Sequence, residues 1–221
     1  MEQLWTEVEQ YFDQVLVKPD AEFANILSAS KEAGLPAINV SAAQGKLLEL
    51  FVRFLGAHRV LEVGTLGGYS TAWLAKSLPR DGYLITLELE PTYAELAQKN
   101  LDRFSFPCKI EIKVGDAVQS LQTLHESSEA PFDLIFLDAN KAQYCEYLDW
   151  SIKLSRTGTM IIADNVVRKG EVINSKSEDP LIQGVRKFNA MVSADKRLQA
   201  TALQTVGIKG YDGFCVIYVD A

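Results

Sequence analysis

Two short apolar runs in this chain end in oxygen donors: Phe132-Asp-Leu-Ile-Phe-Leu137 leads into Asp138-Ala-Asn-Lys141, and Thr159-Met-Ile-Ile-Ala163 leads into Asp164-Asn165. If the runs are strands of one sheet, Asp138, Asp164 and Asn165 deliver two carboxylates and an amide to the same edge. Such an all-oxygen set suits a hard cation, Mg²⁺ above all, with Mn²⁺ and Ca²⁺ left open. Taken singly, Asp138 or Asn140 also reads as a helix cap and Asp164-Asn165 as a turn. Lys141, three residues past Asp138, would lie beside that cation. A nearby positive charge and burial both lower a lysine pKa and make a neutral amine available as a base, the alternative being a surface salt bridge. With only His58 and His125, and with Cys108, Cys145 and Cys215 forming no CxxC pair, a zinc site lacks ligands and the cysteines read as buried free thiols.

A second group of residues points to a nucleoside. Val60-Leu-Glu-Val63 runs into Gly64-Thr-Leu-Gly67-Gly68-Tyr-Ser70, a glycine-rich turn that is either a plain connection or a place where backbone approaches a ligand, with Ser70 as a helix cap. Leu66 and Tyr69 stand where a GxGxxG pattern has its second and third glycines, which disfavours a dinucleotide and hence a nicotinamide oxidoreductase. Glu88 ends the next apolar run, 88 − 64 = 24 positions after the first glycine, where an acidic residue bonds a ribose diol or simply faces solvent. Gly115-Asp116-Ala117 follows the third run and either flanks an adenine or caps a helix. Gly68-Tyr-Ser70-Thr-Ala72 superficially resembles a hydrolase nucleophile elbow, but the long turn before Ser70 lacks that motif's sharp geometry.

These residues need a scaffold, and the hydrophobic rhythm supplies one. Runs at 60–63, 83–87, 110–114, 132–137 and 159–163 alternate with helix-length segments at 70–78, 91–104, 117–125 and 141–155, the pattern of a doubly wound α/β sheet. Asp179-Pro180 opens a further helix over 180–193. Runs 198–206 and 214–219, joined by Gly207–Gly213, are too close for a crossover helix and must pair as an antiparallel hairpin. Residues 1–56 read as a helical lead-in, with a capping-box spacing at Ser41 and Gln44 and a stop at Gly56. The whole chain, 1–221, is expected to form one domain, with 57–221 as its cofactor- and metal-binding core.

Composition narrows the class. The chain has 221 residues, 48% hydrophobic and 23% charged, with a net charge of −7, which excludes disorder, collagen and coiled coil. No apolar run approaches the ~18 residues of a membrane span, and the acidic start does not resemble a signal peptide, so a cytoplasmic protein without a membrane partner is expected. The acidic balance argues against a nucleic-acid partner.

The stretches Asn39-Val40-Ser41, Val60 to Ser70, Phe136 to Lys141, Ala163 to Val166 and Gly210-Tyr-Asp-Gly213 resemble the cation-dependent, S-adenosylmethionine-dependent O-methyltransferases, a family that includes catechol and caffeoyl-CoA O-methyltransferases and bacterial relatives. The resemblance covers roughly 35 to 221. It implies a class I methyltransferase fold, a Rossmann-like sheet of seven strands with a reversed last strand. It implies that Glu62, Gly64, Thr65 and Ser70 hold the methionine end of S-adenosylmethionine under Val40, that Glu88 takes the ribose hydroxyls, and that Asp116 and Ala117 flank the adenine. Asp138, Asp164 and Asn165 match the metal ligands and Lys141 the general base. The implied acceptor is a small vicinal diphenol and the implied assembly a homodimer. The chain departs from the family pattern at Asn140, where many relatives have Asp, and at Val166-Val-Arg-Lys169, where two cations replace an aromatic of the plant coenzyme A enzymes. Methylation of a hydroxylated uridine in tRNA is the alternative within the family, and a non-catalytic binding module is the alternative outside it.

Overall fold

The computed structural model describes residues 1–128 and 131–220. Helix α1 (Glu2–Phe12) continues into one π-helical turn (Asp13–Val17), and α2 (Ala21–Glu32) and α3 (Ala42–Leu55) complete the helical lead-in. The core alternates β1 (Arg59–Val63), α4 (Tyr69–Ala75), β2 (Tyr83–Glu88), α5 (Pro91–Leu101), β3 (Lys109–Val114), α6 (Ala117–Glu126), β4 (Leu134–Leu137), α7 (Tyr144–Lys153) and β5 (Met160–Asp164). After α8 (Pro180–Ala194) come β6 (Leu198–Gly207) and β7 (Gly210–Val219). The seven strands form one sheet in the order β3-β2-β1-β4-β5-β7-β6, parallel from β3 to β5, with β7 antiparallel to both neighbours. The class I architecture expected of the sequence is therefore present, reversed strand included.

Around the inner strands β2, β1, β4 and β5 both faces of the sheet are covered, which is why they read as continuous apolar runs, whereas the edge strands β3 and β6 are more exposed. Alternate residues divide between two cores. Leu61, Ile85, Leu137 and Ile161 pack with Tyr144 and Phe188 on one face, while Val60, Leu84, Phe136 and Ile162 pack with Leu48 and Trp73 on the other. The lead-in enters the second core directly: the Phe23 ring stacks on Trp73 with centroids 4.0 Å apart. Gly45 of α3 lies against the Trp73 indole, where a Cβ would overlap the ring. Ser41 caps α3 as its spacing predicts, accepting from the Gln44 amide at 3.3 Å, and Gly56 ends the helix at φ 56°.

Helix α5 ends at Leu101 and β4 begins at Leu134, where 104 and 132 were expected, and three further differences from the sequence reading have local reasons. The helix expected over 141–155 is a 3₁₀ turn (Lys141–Gln143) followed by α7, because Asn140 Oδ1 accepts from the Ala142 amide at 3.2 Å and starts a tighter turn. Helix α4 is shorter than expected and its cap is Gly68, at φ 84°, while the Ser70 hydroxyl points elsewhere. The hairpin turn is not the whole of 207–213: the ladder runs down to Gly207 opposite Gly210, leaving only Ile208 and Lys209 between. Gly213 makes that possible, since a side chain there would strike the Leu203 carbonyl and Val167.

Helix α8 bears on the site through one glycine. Gly184 faces the backbone of Lys141 and Ala142, and a Cβ there would overlap the Lys141 carbonyl. Gly184→Ala is expected to lower stability by about 1–3 kcal/mol through overpacking, measured by urea denaturation. An unchanged midpoint would show that α8 does not press on the Lys141 turn.

Candidate active site

The sheet reverses its order at β1, whose neighbours β2 and β4 lead in opposite directions, and ligands of such sheets bind beyond the carboxyl ends of strands at that point. A cavity of about 1020 Å³ opens there. It takes in Val40, Gly64, Thr65, Ser70, Glu88, Asp116 and Ala117, and also Asp138, Lys141 and Asn165. The segment from Leu35 to Ala42 forms part of its wall, so the lead-in helps enclose it. Two of the predicted residues stand behind the wall: Glu62 is 0% exposed and Asp164 4%.

At the β1–β3 end the carboxylate of Glu88 is fixed in orientation. Its Oε2 accepts from the Leu66 amide at 2.7 Å and its Oε1 from the Glu90 amide at 3.0 Å. Leu66 reaches this position through a left-handed conformation, φ 51°, which ties the glycine-rich turn to the end of β2. Asp116 caps α6, accepting from the Gln119 amide at 3.0 Å, and lines the cavity as well. The glycines of the turn serve the protein's own packing: a Cβ on Gly64 would meet the Asp138 carbonyl, and one on Gly67 would meet Ser30. Ser70 does not cap. Its hydroxyl donates to Glu62 Oε1 at 2.6 Å, and the hydroxyls of Thr71 and Thr86 donate to Oε2 at 2.5 and 2.7 Å.

At the β4–β5 end the ammonium of Lys141 lies 2.7 Å from Asp138 Oδ1, and Lys141 is buried. Burial pulls the Lys141 pKa down, but the charge of Asp138 together with Asp138 and Tyr144 as hydrogen-bond partners outweighs it, and the net shift is upward. This reverses the depressed lysine expected from the sequence, because the partner at hand is an anion. Asp164 is pushed up to about 7, chiefly by burial and then by the charge of Asp138, against the help of Lys141, the Asn165 amide and the Gln44 side chain. The charge of Asp138 thus sits close enough to oppose the ionisation of Asp164. Asn165 is left-handed at φ 57° and lines the cavity. Among the described residues no three His, Cys, Asp or Glu side chains converge, so a cation here would need the amide oxygen as third donor. Two mutually repelling carboxylates plus an amide oxygen fit a hard dication.

Several residues that shape the site were given no such role by the sequence, Asp212 among them although it lies in the Gly210–Gly213 motif. The buried Tyr144 hydroxyl is shared between the carbonyls of Leu137 at 3.0 Å and Asp164 at 2.8 Å, joining the ends of β4 and β5. Asp212 accepts from the amides of Val167 at 3.1 Å and Arg168 at 2.9 Å, so β7 holds the loop after β5. Gln44, singled out only for its capping spacing, turns its side chain to Asp164. An aromatic or acidic residue one turn inside a predicted element gives no sign of such tertiary partners.

Residues 18–215 match the model of a family described as O-methyltransferase. A protein of Niastella koreensis named catechol O-methyltransferase is 45% identical over 98% of each chain. One of Mycobacterium tuberculosis with the same name is 43% identical, covering 96% of this chain and 95% of its own. The crystal structure of an O-methyltransferase from Bacillus cereus in complex with SAH superposes with a TM-score of 0.97, at 47% identity over 99% of this chain and 100% of that one. No helix among the described residues is long and apolar enough to cross a membrane.

Glu62 offers a test of the buried network that leaves ligands aside. Its carboxyl is pushed up to about 7 from 4.5, chiefly by burial, partly offset by the hydroxyls of Ser70, Thr71 and Thr86, with the charge of Asp138 adding to the rise. The folded chain then keeps a proton that the unfolded chain releases, so its contribution is whole below about 4.5 and is lost as pH rises toward about 7. Glu62→Gln should flatten the stability–pH curve in that window, by a difference on the order of 3 kcal/mol across it. Denaturation at a series of pH values reads this directly, and an undiminished slope would assign the titration to another group.

Proposed function

The chain belongs to the O-methyltransferase family, and on that premise we propose that it transfers a methyl group from S-adenosylmethionine to one hydroxyl of a vicinal diphenol, a catechol-type small molecule, with a divalent cation as cofactor. The observation that carries this reading is the order of groups along one sheet edge: the pinned carboxylate of Glu88 after β2, the Asp138–Lys141 pair after β4, and Asp164-Asn165 after β5. The name shared by the Niastella and Mycobacterium relatives and the SAH of the Bacillus structure support it.

In this reading Gly64, Thr65 and Ser70 receive the methionine end of the donor beneath Val40, while Glu62 holds the Ser70 hydroxyl from behind. Glu88 takes the ribose hydroxyls, and Asp116 and Ala117 border the adenine. Asp138, Asp164 and Asn165 are the donors for the cation, with Mg²⁺ preferred to Mn²⁺ or Ca²⁺. Bound there, a dication would lower the pKa of a hydroxyl on the acceptor. Lys141 removes the proton from that oxygen. Its own proton is held by the charge of Asp138, so a change that turns Asp138 toward another positive partner leaves burial in control and favours the neutral amine. The oxygen then attacks the sulfonium methyl group in line: the O–C bond forms, the S–C bond breaks, and S-adenosylhomocysteine leaves with the electron pair. No covalent enzyme intermediate is needed, and alignment of the two substrates can supply roughly 7–11 kcal/mol.

We read the lead-in, 1–56, and the core, 57–221, as one functional unit, because Phe23 and the 35–42 segment contribute to the core and to the cavity wall. In this reading the exposed apolar residues of α1, Leu4 and Tyr11 among them, form the face on which two copies pair, and the protein works in the cytoplasm.

Asp138→Ala is expected to abolish cation-dependent release of S-adenosylhomocysteine with catechol as acceptor; full turnover by that variant in the presence of a chelator would sink the site. Lys141→Gln should lower kcat by about 10²–10⁴-fold, the usual worth of a positioned base, with little change in KM. A kcat within threefold of the native value would remove Lys141 from the proton transfer.

A further inference from the structure

The strand order separates the charges that face the cavity. Glu88 and Asp116 follow β2 and β3 at one end, Asp138 and Lys141 follow β4 between, and two cations line the other end: Arg168 in the loop after β5 and Lys209 in the β6–β7 turn. The chain as a whole is acidic, with 29 Asp and Glu against 22 Lys and Arg, so composition alone does not place cations here.

Backbone geometry places them instead. Arg168 and Lys169 are both left-handed, at φ 53° and 55°, and Gly170 follows at φ 89°. Non-glycine residues hold such conformations at a cost of roughly 1 kcal/mol or more each, and only where the surroundings impose them. The surroundings are the carboxylate of Asp212, which takes the Val167 and Arg168 amides, and the Tyr211 ring, 3.5 Å from where a Cβ on Gly170 would lie. Lys209 is steered by the lead-in: its ammonium donates to the Ala37 carbonyl at 3.0 Å, and the neighbouring Ile208 amide donates to Glu9 Oε2 at 2.5 Å. Beside Lys209 stand its chain neighbour Ile208 and, next to the Ala37 that takes its ammonium, Ile38; they are 54% and 70% exposed and line the same cavity as Arg168. Apolar surface in a cavity that also presents an arginine fork suits a flat ring that carries an anionic group. Two carboxyls from the N-terminal helices bear on this end: Asp13 lines the cavity, and the charge of Glu9 acts on Lys209, leaving the guanidinium of Arg168 as the main attraction for such a group.

We propose that the methyl acceptor is an anionic vicinal diphenol, its carboxylate or phosphate bound by Arg168 and Lys209 while its ring lies against Ile38 and Ile208 and its two hydroxyls reach the Asp138–Asp164 end. This rests on the catechol reading and makes Arg168 and Lys209 determinants of specificity, with no part in the chemical step.

The test compares kcat/KM for matched acceptors that differ in charge: 3,4-dihydroxybenzoate against 3,4-dihydroxybenzamide, and 3,4-dihydroxybenzyl phosphate against the corresponding alcohol. At least one anion should exceed its neutral partner tenfold or more, and which one does so identifies carboxylate or phosphate as the group bound. In Arg168→Gln that ratio should fall about tenfold, mainly through KM, with a smaller fall in Lys209→Gln and partial retention in Arg168→Lys. Equal rates for anions and neutral partners in the native protein, or ratios unchanged in both glutamine variants, would overturn the inference while leaving the catechol reading standing. If no diphenol is methylated the catechol reading fails and takes this inference with it. Methylation of tRNA that carries a hydroxylated uridine, with a steep salt dependence and no turnover of any diphenol, would overturn both in favour of an RNA acceptor.

Discussion

The close approach of β1 and β4 at their carboxyl ends is the constraint on which the rest of the site depends. Gly64 ends β1 against the Asp138 carbonyl, with no room for a Cβ and with a φ of 106° that a side chain would resist. That contact sets the glycine-rich turn on one side of the switch point and the Asp138 turn on the other. From the first side the turn reaches Glu88 through the Leu66 amide; from the second Asp138 reaches Lys141, and the preceding Leu137 carbonyl is joined to the end of β5 through the shared Tyr144 hydroxyl. The groups assigned to the donor and to the acceptor are therefore positioned by one piece of backbone.

Around that contact the protein buries charge in a graded way. Glu62 and Asp164, both nearly inaccessible, are pushed up to about 7, whereas Lys141 keeps its proton because Asp138 is 2.7 Å away. At the β4–β5 end an ionised pair and the Asp164 carboxyl on the edge of ionisation leave a shortage of positive charge. Such a deficit favours a cationic occupant more strongly in a buried site than it would in water. The β5–β7 end carries the opposite excess, in Arg168 and Lys209. The charge brought by the strand-end loops thus varies along the cavity in step with the strand order, with Lys31 and Asp13 added from the N-terminal helices.

How much of this was legible in the sequence depended on the range of the interaction. The strands, the helices between them and the closing hairpin were legible because apolar periodicity reports burial on one or both faces, whatever the partner. Ser41 as a cap and Gly56 as a stop were legible because capping is a contact over a few residues. The residues at the strand ends were legible as a set because a parallel sheet sends all its carboxyl ends to one edge, and ten of the twelve residues named for the site line the cavity or its wall. The shorter hairpin turn was not, since Gly213 looks like loop until Leu203 and Val167 are known to face it.

The sequence by itself determined which strands carry oxygen donors and which turn carries the glycines, because both follow from residue type and position along the chain. Only the tertiary structure decided what those residues touch. The glycines make room for Asp138 and Ser30, Ser70 serves Glu62, and the Gln44 side chain turns to Asp164 while its amide stays in the α3 cap. It also decided the sign of the Lys141 shift, since burial and an adjacent carboxylate act in opposite directions and only distance settles which prevails. Contacts between residues far apart in sequence have no local signature, and electrostatic shifts depend steeply on separations that periodicity does not encode.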